Sequence, residues 1–173
     1  MEEKAPGTAR IAIKYGLYTG MASVTFYLIL FLTNLYFDLN LLSNVILIVG
    51  IAYGMQEFKN YNQGYLRYGQ GVGLGLMLSA ITGFMVGLLM LIYLSLDSNI
   101  IETHKQYLIG IYEQFGYSDE QIDEMVMLLK PNYYFISMVL GYFITGLVLS
   151  LIIAAFKRKD EDIFGSDQDD NPA

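Results

Sequence analysis

The chain of 173 residues has no cysteine, no tryptophan, one histidine and three prolines. Without cysteine it can form neither a disulfide framework nor a thiolate metal site. Charged residues make up 16 % of the chain, well below the roughly 25 % of ordinary soluble domains. The formal net charge is −7, whereas a nucleic-acid partner would require clustered basic charge. The composition therefore excludes thiol chemistry, and we expect no nucleic-acid partner.

Catalytic motifs are missing as well. The sequence contains no HExxH, GxSxG or P-loop pattern, each of which would place reactive groups at a fixed spacing. The single histidine, His104, has no second histidine or cysteine with which to share a metal ion. An enzyme acting on lipid would need a nucleophile with its base, or a metal, and no spacing in the chain supplies either. We therefore expect no enzymatic activity, no catalytic residues, no cofactor and no metal site.

Long apolar blocks dominate what is present, since 54 % of the residues are hydrophobic. About 20 apolar residues suffice to cross the ~30 Å hydrocarbon core of a bilayer. The blocks predict an all-α membrane protein with four transmembrane helices and an extramembrane helical segment between the third and the fourth. The predicted transmembrane domain covers 11–156, with spans at 11–37, 39–55, 71–96 and 133–156 and the outer segment at 100–130.

Small residues recur every fourth position inside the spans. This spacing places them on one stripe of a helix, where they let neighbouring backbones approach closely in a bilayer. The stripe favours packing within the bundle, although association between two copies of the chain is the alternative. The predicted packing residues are Gly16, Gly20, Gly50, Gly54, Gly71, Gly75, Ser79, Gly83 and Gly87.

Basic residues indicate the orientation of the spans. With four spans, both termini and the polar segment 56–68 lie on one side, which holds eight of the ten lysines and arginines. Because basic residues stay on the cytoplasmic side, this side is predicted to be cytoplasmic. A cleaved signal peptide at 1–10 is the alternative, but that start is acidic as well as basic and the apolar block is too long. The predicted cytoplasmic tail, 157–173, is acidic and typical of disorder.

Three charged residues lie near the cytoplasmic ends of the spans: Lys14, Glu57 and Arg67. Ionisable groups within a membrane usually mark transport or proton relay, and these three could form a small charged vestibule. The alternative is interfacial anchoring with a local ion pair. The apolar cores themselves contain no ionisable residue, which argues against a proton-coupled transporter built from one chain.

The outer segment 100–130 divides into two amphipathic parts. Gly116 ends the first, and Ser118 with Gln121 is typical of a capping box at the start of the second. Pro131 prevents simple continuation of that helix. We expect a helix–turn–helix that either lies on the bilayer surface or caps the bundle.

The segments Gly50–Lys59 (GIAYGMQEFK) and Gly64–Gly71 (GYLRYGQG), followed by the glycine-rich third span, carry a family resemblance. The chain from 11 to 156 resembles the four-span membrane proteins of Bacteroidota grouped as domain-of-unknown-function family 4199. The resemblance implies a multi-pass bacterial inner-membrane protein without an established activity. It implies no functional residues.

The patterns together favour a structural or protein-interaction membrane component. A subunit of a small-molecule transporter or channel is the alternative, and an enzyme acting on lipid fits least. The expected partners are membrane lipid and either a second copy of the chain or an unidentified membrane protein.

Overall fold

The computed structural model describes residues 7–33, 35, 40–96, 98–127 and 130–159. These residues are 89 % helical and contain no strand, so the all-α prediction is confirmed. The helices are α1 (Thr8–Leu32), α2 (Ser43–Tyr61, preceded by a 3-10 turn at Asn40–Leu42), α3 (Tyr68–Leu96), α4 (Ser98–Gln114), α5 (Asp119–Met127) and α6 (Pro131–Lys157).

Three helices, α1, α3 and α6, are long and apolar enough to cross a membrane. This makes the chain a membrane protein by length and composition. Large apolar side chains also face outward along them, as Ile29, Phe84 and Ile144 do. Such outward faces are costly in water but suit lipid, where hydrocarbon surrounds the bundle.

Helix α2 differs from its predicted bounds. It begins at Ser43 rather than at 39 and continues to Tyr61, so the loop predicted from Gln56 is helical over its first six residues. Nothing in that stretch breaks a helix until Gln63 and Gly64, which adopt φ of 53° and 86°. The polar residues therefore extend the helix beyond the apolar block instead of ending it.

Helix α1 is shorter than predicted, because it ends at Leu32 rather than at residue 37. Thr33 caps it, and its hydroxyl donates to the carbonyl of Ile29 at 2.8 Å. Residues 36 and 37 lie outside the described residues. The other spans begin and end within three residues of their predicted bounds.

Helix α3 lies at the centre and contacts α1, α2 and α6. Helices α1 and α3 run parallel, since Gly16 lies against Ile81 and Gly20 against Met85. Helices α2 and α6 run in the opposite direction. The facing pairs are Gly50–Thr19 and Gly54–Tyr15 for α2 on α1, and Gly71–Ala154 and Gly83–Tyr142 for α6 on α3.

Helices α4 and α5 form the predicted helix–turn–helix. Gly116, at φ 79°, makes the turn. The backbone N–H of Ser118 donates to Gln121 Oε1 at 3.1 Å, and the N–H of Gln121 donates to Ser118 Oγ at 3.5 Å, which is a capping box. Ile101, Leu108 and Val126 pack on Leu94 and Tyr134. The pair therefore rests on the end of α3 and the beginning of α6.

Candidate functional site

The small-residue stripe of α3 faces α6. Gly71 lies against Ala154, Gly75 against Ser150, Gly83 against Tyr142 and Gly87 against Phe135, while Ser79 lies against Gly146. The partners on α6 also recur about every fourth residue. Two stripes of matching period therefore run antiparallel along the whole contact.

The geometry of this contact needs glycine. A β-carbon added at Gly83 would lie 2.6 Å from Cβ of Tyr142, and one at Gly71 would lie 2.9 Å from Cβ of Ala154. Both separations are shorter than real β-carbons adopt. The two backbones are therefore close enough for dense dispersion contact, which drives helix association where the hydrophobic effect is absent.

Hydroxyl groups inside this contact bond to backbone carbonyls. Ser79 Oγ donates to the carbonyl of Gly75 at 2.8 Å, and Ser150 Oγ donates to that of Gly146. Thr82 Oγ1 lies 3.0 Å from its own helix's Leu78 carbonyl and 3.3 Å from the Gly16 carbonyl of α1. The packing stripe therefore buries its polar atoms with partners.

The four predicted packing glycines of α1 and α2 also lie against other helices. Gly16 and Gly20 contact α3, Gly50 contacts the Thr19 side chain, and a β-carbon at Gly54 would lie 3.2 Å from Leu74 Cδ2. The structure thus places all the packing residues predicted from the sequence against neighbouring helices of the same chain.

The structure joins two of the three charged residues singled out from the sequence. Lys14 Nζ lies 2.7 Å from Glu57 Oε1, and the Tyr15 hydroxyl donates to the other carboxylate oxygen. The hydrogen bond from Lys14, followed by that from Tyr15, holds the pKa of Glu57 below its usual value. Arg67 lies outside this pair, at the residue before α3, where its backbone N–H donates to Gln70 Oε1 at 3.1 Å.

The end of α6 is attached to the same end of the bundle. Lys157 Nζ donates to Gln56 Oε1 at 3.0 Å. Leu66 and Lys159 exchange two backbone hydrogen bonds, of 2.9 and 3.0 Å. The α2–α3 connection and the end of α6 are thereby tied together. We call this the basic end, since the described residues there include Arg10, Lys14, Lys59, Arg67, Lys157, Arg158 and Lys159.

A second polar group, which the sequence analysis did not single out, lies towards the opposite end. We call it the hydroxyl cluster: Ser23 and Tyr27 of α1, Ser43 of α2 and Tyr142 of α6, all buried. The Tyr27 hydroxyl donates to Ser43 Oγ at 3.1 Å. The Tyr142 hydroxyl lies near enough to the other three to interact with them.

One sequence signal could have found this cluster. Tyr27 and Tyr142 lie well inside apolar blocks, whereas tyrosines of a membrane protein are enriched at the interfaces. A tyrosine in a span needs a partner for its hydroxyl. The identity of that partner depends on how three helices pack against one another, so periodicity within one helix could not supply it.

A cavity of about 180 Å³ adjoins the hydroxyl cluster. Among the described residues, Tyr27, Ser43 and Tyr142 of the cluster line it together with Leu41, Asn44, Met138, Gly141 and Thr145. It therefore combines uncharged polar groups with apolar walls, which is typical of a small-molecule site.

Within the described residues, no group of three or more His, Asp or Glu side chains could hold a metal ion. The side chain of His104 and the acidic tail from residue 160 lie outside the described residues.

Comparison with known proteins matches the chain to a family model. No curated protein and no solved structure matches the chain. A family model described as protein of unknown function (DUF4199) matches residues 14–159, which is most of the sequence. This range begins at Lys14, six residues after the start of α1, and contains all of the other helices. It also contains both partners of the Lys14–Glu57 and Leu66–Lys159 contacts. The chain therefore belongs to the DUF4199 family.

Proposed function

We propose that this protein is a four-span bacterial inner-membrane protein, with both termini in the cytoplasm, whose role is to present the α4–α5 pair to another membrane or periplasmic protein. The role is non-enzymatic. Three features support the proposal: the direction of the helices, the distribution of charge, and the exposed surface of α4 and α5.

The parallel direction of α1 and α3 is the main support for a fourth membrane-spanning segment. If both helices cross the membrane in the same direction, the chain between them must return through it. Helix α2 lies in that connection, runs antiparallel to α1 and has 19 residues, about 28 Å at 1.5 Å per residue. Its polar last turns reach the basic end, where headgroups and water can solvate them.

Charge is segregated between the two ends of the bundle, which supports the orientation. Among the described residues, the basic end carries seven lysines and arginines with Glu57 as its acidic residue. At the other end, Lys105 and Lys130 accompany six acidic residues: Glu102, Glu113, Asp119, Glu120, Asp123 and Glu124. Basic residues accumulate on the cytoplasmic side, so the α4–α5 pair faces outward.

The α4–α5 pair has the surface of an interaction module. One face of the pair packs on α3 and α6 through Ile101, Leu108 and Val126. Phe115 and Met127 remain 77 % and 76 % exposed. Aromatic residues and methionine are enriched in protein interfaces, and the surrounding acidic residues favour a partner with a basic surface.

The orientation can be tested by labelling, because the natural chain has no cysteine. Single cysteines at Gln63 and Glu120 would be treated with a membrane-impermeant maleimide in spheroplasts. We expect labelling of the Glu120→Cys variant at once and of the Gln63→Cys variant only after the membrane is permeabilised. Equal labelling of both before permeabilisation would contradict the four-span arrangement.

The interaction role needs its own experiment. A photo-crosslinking residue at Phe115 or Met127 should yield a discrete protein adduct in cells, while the same residue at lipid-facing Phe84 should not. If all three positions yield only lipid adducts, the proposed role is wrong even where the topology is right.

A further inference from the structure

We propose that the hydroxyl cluster and its adjoining cavity bind an uncharged, membrane-dissolved molecule that presents a carbonyl oxygen on an apolar body. The site would lie between α1, α2 and α6. It is independent of the interaction role proposed for α4 and α5.

The first argument is a pair of buried hydroxyl groups without partners. Tyr142 is 7 % exposed and Ser23 is fully buried, yet neither hydroxyl forms a hydrogen bond with any residue that the structure describes. Buried polar atoms are almost always bonded, and leaving one unpaired costs free energy. Tyr142 also lines the cavity, so a molecule in the cavity can supply its missing partner.

The second argument concerns protons. The Tyr27 hydroxyl donates a hydrogen bond to Ser43. The Tyr142 hydroxyl makes no hydrogen bond to the nearby hydroxyl groups of the cluster, so it can donate to a ligand. A carbonyl oxygen has two lone pairs and no proton, so it accepts from such donors without needing an acceptor in return. The amide of Asn44 and the hydroxyl of Thr145 also line the cavity and can serve a second polar atom of the ligand.

The third argument excludes a charged ligand. The described residues that line the cavity include no Asp, Glu, Lys, Arg or His, and a charge without a partner there would lose its hydration without compensation. Leu41, Met138 and the bare backbone at Gly141 provide apolar wall instead. A volume of about 180 Å³ is several times the ~30 Å³ that one water occupies. The cavity therefore suits an organic group.

The depth of the site points to two sources for the carbonyl. Ser43 is the first residue of α2, and Tyr27 lies five residues before the end of α1. On α6, Tyr142 lies 11 residues after the beginning of the helix, about three turns. The cavity therefore extends from the first residue of α2 to about three turns inside α6. The ester carbonyls of phospholipids can reach its shallow part, and the ring carbonyls of a quinone can also reach its deeper part.

The two sources can be distinguished with the full chain in nanodiscs. Diester phosphatidylcholine offers the carbonyl, whereas the diether analogue with the same chains lacks it. A short-chain quinone can then be added to the diether discs. Thermal unfolding and native mass spectrometry would report stabilisation and bound molecules. Stabilisation in diester discs assigns the site to a phospholipid ester, and stabilisation only after quinone addition assigns it to a quinone.

Variants test the residues. Tyr142→Phe should weaken binding roughly tenfold, the effect of one lost hydrogen bond. Gly141→Leu should abolish binding while the bundle stays folded, because a β-carbon at Gly141 meets nothing within 4 Å. Tyr134→Phe is the matched control, since Tyr134 is a buried tyrosine of the same helix that does not line the cavity. Identical unfolding in both lipids with and without quinone, or equal binding by the wild type and Tyr142→Phe, would overturn the proposal.

Discussion

Ser79 of α3 occupies the space that a side chain at Gly146 of α6 would need. An added β-carbon at Gly146 would overlap both Oγ and Cβ of Ser79. One turn further along, Ser150 of α6 occupies the corresponding space at Gly75 of α3. The two helices therefore interlock reciprocally, and each serine also donates to a carbonyl of its own helix.

This interlock predicts that Gly146→Ala destabilises the bundle. The new methyl group must push α6 away from α3 or displace the Ser79 backbone, and overpacking of this kind costs about 1–3 kcal/mol. Unfolding in mixed micelles with increasing sodium dodecyl sulfate, followed by circular dichroism, would measure the loss.

The partner substitution provides the control. Ser79→Gly in the Gly146→Ala background should recover much of the loss, because it empties the space that the methyl group enters. Gly73→Ala should not destabilise, since a β-carbon at Gly73 meets nothing within 4 Å. If both alanine variants unfold alike, the contact is not as close as described.

The Lys14–Glu57 pair predicts a dependence of stability on pH. The pKa of Glu57 is lowered in the folded chain from its usual 4.5, so the folded state binds the proton less well than the unfolded state. The stabilisation is then complete above pH 4.5 and is lost as the pH falls through the lower folded value. Glu57→Gln should unfold earlier than the wild type at pH 7, and the difference should shrink in acid.

A control for this effect exists at the other end of the bundle. Glu102 pairs with Lys105 at 3.6 Å but is 64 % exposed, so Glu102→Gln should change stability little. A difference between wild type and Glu57→Gln that stays constant from pH 7 to pH 3 would contradict the linkage.

The capping box predicts a local effect at α5. Ser118→Ala removes the oxygen that accepts from the Gln121 N–H, which costs about 1 kcal/mol for that helix. Faster amide hydrogen exchange across Asp119–Met127, with α3 unchanged, would report it. Glu124→Ala, at an exposed position in the same helix, should exchange at the wild-type rate.

The contacts of Leu66 predict that the attachment of the α2–α3 connection to the end of α6 stabilises the bundle. Its side chain is fully buried and its backbone pairs with Lys159. Leu66→Ala should cost about 2–5 kcal/mol through the cavity it leaves. Leu96→Ala, at an 81 % exposed position, should unfold like the wild type. Similar unfolding of the two variants would show that this attachment does not contribute to stability.

Sequence alone determined the class of this protein and the residues of its packing contacts. Length and hydropathy are local properties, so three of the predicted spans appear as helices long and apolar enough to cross a membrane, and two of them lie within three residues of their predicted bounds. The period of Gly71, Gly75, Ser79, Gly83 and Gly87 also follows from one helix alone. The capping box at Ser118 was found for the same reason, because its two partners lie three residues apart.

Tertiary structure decided which helices those residues meet and where polar groups converge. The small-residue stripe shows which face of α3 packs against a neighbour, but not which helix that neighbour is. Only the packed bundle places Gly146 opposite Ser79. The hydroxyl cluster shows the same limit, since Ser23, Ser43 and Tyr142 come from helices whose separation in sequence carries no periodic signal. The spacing of side chains along the sequence gives information about a single helix, whereas a cavity depends on how several helices pack together.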